Sequence, residues 1–218
     1  MNKKNVKFIL PPKNSFSVNG PSDPLFFYYR FIVGFLYRRR IQIGLNFLKP
    51  SYESVLEFGH GSGLLLPTLA SISKKLFAID IDSNPILVRE SLKKLNINAE
   101  ISNKDLFERK YESESFDLVV AFSVFEHIKD PCDILKELFR ILKPNGKLLV
   151  GMPRVDRTME KMFALIGFKN INSLHVTSHK DFLSVADKRF ELIKTKHMPF
   201  FLPSCAGLYY NMLFKKNR

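Results

Sequence analysis

A chain of 218 residues with 45% hydrophobic content can bury a full core, which excludes a disordered chain and fits one domain with some added elements. Two cysteines, Cys132 and Cys205, are too few for a disulfide framework and lack metal-ligand spacing, so a reducing compartment is expected. The net charge of +13 calls for an anionic partner such as nucleic acid, anionic lipid or a phosphate-bearing substrate.

The excess sits early: Lys3, Lys4, Lys7, Lys13, Arg30, Arg38, Arg39, Arg40 and Lys49 stand against one acid, Asp23, in residues 1–50. Residues 1–22, with Pro11, Pro12, Gly20 and Pro21 among scattered lysines, read as an extended lead-in. Their apolar run, Phe8 to Leu10, is far shorter than the roughly 7 to 15 residues of a secretory core. Leu25 to Tyr37, interrupted by Arg30, falls short of the roughly 20 residues a spanning helix needs. The expectation is a cytoplasmic protein, peripheral at most on the inner face of a membrane. Asp23-Pro24 supplies an N-cap and a first-turn proline, which predicts a helix from Pro24 to Phe47, broken near Gly34 or Gly44. Its first half is apolar nearly all round and its middle is Arg38-Arg39-Arg40. Such a helix either packs on the domain and lids a ligand site, or rests in part on an anionic membrane surface.

Val55 to Phe58 reads as a short buried strand that runs into Gly59-His60-Gly61-Ser62-Gly63. Three glycines at alternate positions let the backbone turn sharply and lie against a ligand without Cβ interference. With a helix from Leu64 to Ile72, this places free N–H groups beside a ligand, as in mononucleotide sites of doubly wound sheets. A dinucleotide fingerprint needs another glycine where Leu64 stands, and a phosphate loop needs Gly-Lys-Ser/Thr, which is absent. Leu76 to Ile79 is a second strand ending in Asp80, and Ser83-Asn84-Pro85 caps a helix to Leu95. A third strand, Ala99 to Ser102, precedes Asn103-Lys104-Asp105-Leu106, and Phe116 to Phe122 is a fourth. Pro131 opens a helix with one apolar face (Ile134, Leu135, Leu138, Phe139, Ile141, Leu142). Lys143-Pro144-Asn145-Gly146 stops it and turns the chain into a fifth strand, Lys147 to Val150. This alternation predicts an α/β, doubly wound parallel sheet with ligand contacts gathered after residues 58, 79, 102 and 122. Further on, a helix over Asp156 to Ile166, another from Ser178 to Ala186, a strand over Phe190 to Thr195 and a last strand over Leu208 to Phe214 are expected.

In order and spacing, Glu57 to Gly63, Phe77 to Asp82, Asp105-Leu106 and Ser115 to Val119, through Phe125-Glu126-His127-Ile128 to Lys143-Pro144-Asn145-Gly146, resemble class I S-adenosylmethionine-dependent methyltransferases of the small-molecule branch. The likeness is close from about residue 50 to 150 and loose elsewhere. It implies a Rossmann-like, mostly parallel seven-stranded sheet whose final strand is antiparallel. A methyltransferase domain would then cover 50–218, preceded by a basic, partly helical N-terminal extension or lid over 1–49. It also implies S-adenosylmethionine as cofactor. By the resemblance, Gly59, Gly61 and Gly63 approach its methionine and ribose portion, and Glu57 orders the loop and reaches the ammonium, often through water. Asp80, 23 positions after Glu57, accepts from the ribose hydroxyls, with Asp82 as a competitor, and Ile81 packs against adenine. Asp105 accepts from the adenine amino group, the Leu106 N–H faces a ring nitrogen, and Ser123 lies near the methyl group.

An activated sulfonium needs mainly an aligned nucleophile, and a base only where the acceptor must lose a proton. His127 is the nearest catalytic candidate, with His175 and His179 as others, although a histidine at a helix entry is more often a hydrogen-bonded structural residue. The five histidines form no defensible metal cluster, and His60 reads as a permitted residue between glycines. The Asn/Asp-Pro-Pro-Tyr/Phe motif of some amide and exocyclic-amine methyltransferases is replaced by Ala121-Phe122-Ser123-Val124, which argues against DNA bases and glutamine as acceptors. The expected acceptor is an oxygen or carbon of a small, lipid- or sugar-linked molecule. RNA or protein methylation, with the basic region holding the larger substrate, is the rival enzyme. RNA is the weaker partner because no recognised RNA module accompanies the charge. A non-catalytic module that keeps the fold and contacts a membrane or partner is the rival of another class.

Overall fold

The computed structural model describes residues 5–20, 23–154, 176–199, 203 and 207–217. Seven strands form one sheet: β1 Tyr52–Phe58, β2 Ser73–Ile79, β3 Glu100–Ser102, β4 Phe116–Phe122, β5 Leu142–Pro153, β6 Phe190–Met198 and β7 Tyr209–Lys216. Helices α1 Leu25–Tyr28 and α2 Ile32–Leu45 precede it. Between the strands come α3 Leu66–Ala70, α4 Pro85–Lys94, α5 Leu106–Arg109, α6 Cys132–Ile141 and α7 His179–Ala186.

The strand order is β3-β2-β1-β4-β5-β7-β6. β1 pairs in parallel with β2 and β4, while β7 lies antiparallel between β5 and β6, as the resemblance implied. Alternate residues of the central strands feed two separate cores, as a doubly wound sheet requires. Val55, Leu118, Val120, Leu149 and Leu213 pack on one face with Ile41 and Leu45 of α2, and with α3 and α4. Leu56, Val119, Leu148, Val150 and Phe214 pack on the other with Leu135, Leu138 and Ile141 of α6. The order reverses between β1 and β4, which opens a crevice at their C-terminal ends.

The single N-terminal helix expected from Pro24 to Phe47 is two helices, and the break falls over residues 29–31 rather than at either glycine. Both glycines serve close approach instead. A Cβ at Gly34 would lie 2.6 Å from the Tyr28 carbonyl oxygen, and one at Gly44 would lie 2.6 Å from Asn211 Oδ1 and 2.8 Å from the Phe122 ring. The lead-in is pinned where it is described: Val6 and Phe16 are buried, and Gln42 accepts from the Phe8 N–H (2.9 Å) and donates to the Val6 carbonyl (2.8 Å). β5 begins five residues earlier than expected, at Leu142, because Leu142 already pairs with Phe116. The Lys143-Pro144-Asn145-Gly146 turn is absorbed as an irregularity before Lys147 pairs with Leu118. The expected helix over Asp156 to Ile166 lies outside the described residues.

Candidate functional site

β1 delivers the glycine loop to the crevice. The Gly59 N–H donates to the Ile79 carbonyl (2.8 Å), so the chain leaves β1 still tied to β2. Gly59 has φ +80°, and a Cβ there would lie 2.3 Å from Val124 Cγ2. Gly59→Ala is therefore expected to cost about 2 to 4 kcal/mol in urea unfolding, from left-handed backbone plus overpacking. Adding Val124→Ala should recover only the packing share. Gly61 has φ +53° and its absent side chain would meet nothing within 4 Å, so this part of the loop faces open space. Gly63, with φ +87°, abuts Val88 of α4.

Three carboxylates surround the loop. Glu57 is almost fully buried in β1, and its Oε2 has no hydrogen-bond partner among the described residues. Burial first, then the nearby Asp80 charge, push its carboxyl well above the usual range. Asp80, at the end of β2, accepts from the Gly61 N–H with Oδ2 (2.7 Å) and from the Asp82 N–H with Oδ1 (3.0 Å), so it shapes the loop directly. Asp23 comes from the N-terminal region: Oδ1 accepts from the Ser62 hydroxyl (3.3 Å) and the Leu25 N–H (3.0 Å), and Oδ2 from the Asn19 N–H (2.8 Å). Burial raises its carboxyl as well, with Asp80 adding to the effect. Asn19 completes the strap by donating to the Gly61 and Asn84 carbonyls (3.2 Å each). His60 is more than a permitted residue. It is buried, its Nδ1 lies 2.9 Å from the Gly61 carbonyl and its Nε2 3.3 Å from the Ser83 hydroxyl, and burial lowers its pKa.

The residues expected at adenine lie on the adjoining loops. Ile81 is two-thirds exposed, with exposed Phe107 and Ile86 also left apolar in solvent. Asp105 is exposed and caps α5, its Oδ1 accepting from the Phe107 (2.8 Å) and Glu108 (2.7 Å) N–H groups. The Leu106 side chain belongs to the core.

On the other side of the crevice, Ser123 follows β4 with φ +57° and its N–H donates to the Gly151 carbonyl (2.7 Å). Its hydroxyl lies 3.0 Å from that of Tyr209, which opens β7 at this edge because β7 runs antiparallel. The Arg40 guanidinium lies 4.3 Å over the Tyr37 ring and 4.9 Å over Tyr209, and Nη2 donates to the Tyr28 hydroxyl (3.2 Å). Of the Glu126-His127 pair, the structure buries Glu126 at 1% exposure in a one-turn 3-10 helix and leaves His127, the catalytic candidate, exposed. Glu126 Oε2 has no hydrogen-bond partner among the described residues. Burial pushes its carboxyl up to about 8, opposed in part by the Arg40 charge and a Ser123 hydrogen bond. His179 stacks on Tyr210 at 3.9 Å, and His175 lies outside the described residues.

The fold thus brings Glu57, Gly59, Gly61, Gly63 and Asp80 into one site, with Ile81, Asp105 and Leu106 along one flank and Ser123 on the other. Sequence reasoning missed Asn19, Asp23, Arg40, Glu126 and Tyr209. Asp23 stood out only as a helix cap, Arg40 only within a basic run and Glu126 only within the Phe-Glu-His-Ile motif, while Asn19 and Tyr209 carried no signal. Among the described residues no three His, Cys, Asp or Glu side chains gather as metal ligands. Clefts of about 300 and 500 Å³, lined in part by Tyr52, Asp117 and Lys143 and by Ser54, Tyr111 and Phe116, lie at the opposite edge of the sheet.

A family model described as a methyltransferase domain matches residues 29–201. An uncharacterised methyltransferase of Schizosaccharomyces pombe is 36% identical over 115 residues, which covers 49% of this chain and 40% of the relative. A ubiquinone biosynthesis O-methyltransferase of Pseudomonas fluorescens is 26% identical over 134 residues, 60% of this chain and 56% of the relative. The chain spans about half the length of these curated relatives. Among solved structures, the N-methyltransferase NodS of Bradyrhizobium japonicum in complex with S-adenosyl-L-homocysteine matches with a TM-score of 0.63 at 16% identity, covering 91% of this chain and 94% of that one. At that identity the likeness concerns the fold.

Proposed function

The chain belongs to the class I S-adenosylmethionine-dependent methyltransferases, and we propose that it moves a methyl group from S-adenosylmethionine to an oxygen or carbon of a small, lipid- or sugar-linked acceptor. The observation that carries this reading is the ring of Glu57, Asp80 and Asp23 around a glycine loop with open space at Gly61. Carboxyls ringed around the loop disfavour a phosphate, and the cofactor's ammonium and sulfonium cations would draw the raised Glu57 and Asp23 groups back toward their ionised forms. The unpartnered Glu57 Oε2 suits the ammonium, and Asp80, with each oxygen already holding one backbone N–H, keeps lone pairs for the ribose hydroxyls.

When bound, the cofactor supplies an activated methyl on sulfur. The protein's part is to hold the acceptor in line at about 3 to 3.5 Å, which can contribute roughly 7 to 11 kcal/mol. For a hydroxyl acceptor, Glu126 would receive the O–H proton as the new O–C bond forms and the sulfur leaves as a neutral thioether. Arg40 and Tyr209 would steady the charge on that carboxylate. Relatives named for O-methyl transfer in ubiquinone biosynthesis favour oxygen over carbon. A lipid-linked acceptor would be met at a membrane, and the basic N-terminal helices are the region suited to that contact.

Calorimetry tests the cofactor assignment. S-adenosylhomocysteine is expected to bind at micromolar affinity, about −8 kcal/mol, and ATP, with the same adenosine on a phosphate tail, is expected to bind far more weakly. Equal or tighter binding of ATP, or no binding of either, would overturn the reading.

A further inference from the structure

Among the described residues, the face of α1 and α2 turned away from the sheet is apolar and exposed. Phe26, Phe31, Ile32, Phe35 and Leu36 are 54%, 92%, 71%, 60% and 46% exposed. Ile32, Phe35, Leu36 and Arg39 are spaced three and four residues apart and share one side of α2, whereas Gly34, Ile41, Gly44 and Leu45 on the other side are buried, and the exposed stripe ends before Ile43, which is buried one turn past Arg39. Scattered surface hydrophobics need no explanation, but five large ones within eleven consecutive positions form a patch, and a patch of this kind marks an interaction surface.

The charge around the patch says what it meets. Arg30, between Phe26 and Phe31, and Arg39, one turn past Phe35, are both exposed, and the Arg30 guanidinium lies 4.4 Å over the Phe26 ring. The one acid of residues 1–50, Asp23, is turned to Ser62 in the glycine loop, so it does not offset them. A second copy of the chain would bring the same arginines and the same net +13 against this face. A nucleic acid would satisfy the arginines and stack bases on the phenylalanines, but it would leave the aliphatic Ile32 and Leu36 in water. An anionic bilayer satisfies both, with phosphates for the arginines and the acyl boundary for the aromatic rings.

We propose that this face of α1 and α2 seats the protein on anionic lipid bilayers, with Phe31 and Phe35 entering the headgroup boundary and Arg30 and Arg39 resting on phosphates. The inference deepens the reading of the acceptor as lipid-linked and rests on that reading only for what the contact delivers. Arg40 follows Leu36 by one helical turn, roughly 6 Å, and reaches Tyr209 at the acceptor side of the crevice. The same helix therefore joins the membrane face to the site.

The test is co-sedimentation of the full chain with phosphatidylcholine vesicles and with equimolar phosphatidylcholine and phosphatidylserine vesicles. Binding is expected only to the mixed vesicles. Arg30→Gln with Arg39→Gln should weaken it by roughly fivefold per arginine, and Phe31→Ser with Phe35→Ser by roughly tenfold or more. S-adenosylhomocysteine calorimetry on the same variants should match the wild type, which separates lost docking from lost folding. Absent or equal binding to the two vesicles, or unchanged binding by the variants, would overturn the proposal. So would a dimer in sedimentation velocity that the phenylalanine variant dissolves. Vesicle binding by a protein that fails to bind S-adenosylhomocysteine would leave the docking face standing and remove the methyltransferase reading.

Discussion

Asp80→Ala is expected to weaken S-adenosylhomocysteine binding about hundredfold, because the substitution removes the charge-assisted bond that holds Gly61 of the loop, a second to the Asp82 N–H in the turn after β2, and the proposed ribose acceptor. The carboxylate accepts from Gly61 at 2.7 Å and from Asp82 at 3.0 Å, and bonds of this type contribute about 1.5 to 3 kcal/mol each. Part of that loss falls on stability and part on the cost of ordering the loop when the cofactor binds. Asp80→Asn should lie between alanine and wild type, since its amide oxygen can still accept while its NH₂ would face a backbone donor. The Asp80 charge also raises the Glu57 and Asp23 carboxyls, so both should titrate nearer the ordinary range in either variant. Calorimetry near neutral pH decides the matter, and affinity within a few-fold of wild type in Asp80→Ala would show that the loop does not depend on this residue.

The features legible in the sequence were those whose physics is local. β1 and β4 were visible as short apolar runs because both faces of a central parallel strand are buried. The glycine loop was visible because only glycine accepts φ +80° with Val124 overhead. Features set by distant packing were hidden. Arg38, Arg39 and Arg40 are identical in type, and Arg40 reaches the crevice because Tyr28, Tyr37 and Tyr209 form its cage. Arg38 instead donates to the Tyr28 carbonyl, next to the close crossing at Gly34. The helix break over residues 29–31 belongs to the same crossing. Residue type was also a poor guide at Glu126-His127: histidine suits proton transfer near neutrality, yet burial brings Glu126 into that range while His127 faces solvent. Asp23 read as a helix cap, and it does accept from the Leu25 N–H, but its bond to Ser62 could not be read from an isolated Asp-Pro pair.

Glu126→Gln is expected to change both the stability and the rate profile with pH, in opposite senses. Burial moves the carboxyl from its ordinary 4.5 to about 8. Below the unfolded value both states are protonated. Between the two values the folded protein keeps a proton that the unfolded chain has lost, so stability falls as pH rises until the folded group ionises near 8. The glutamine cannot titrate. Its stability relative to wild type should therefore improve across that window, by up to a few kcal/mol, in urea unfolding compared at about pH 5 and about pH 9. Glu57 contributes in the same direction but is present in both proteins, so it cancels from the difference. Activity should move the other way, because a hydroxyl acceptor needs the ionised carboxylate. The wild-type turnover rate should climb with pH toward about 8, while the variant should be flat and about 10² to 10⁴ lower in kcat. A purely structural Glu126 would shift the unfolding curves and leave the shape of the rate profile intact, so the two measurements together separate a proton acceptor from a buried strut.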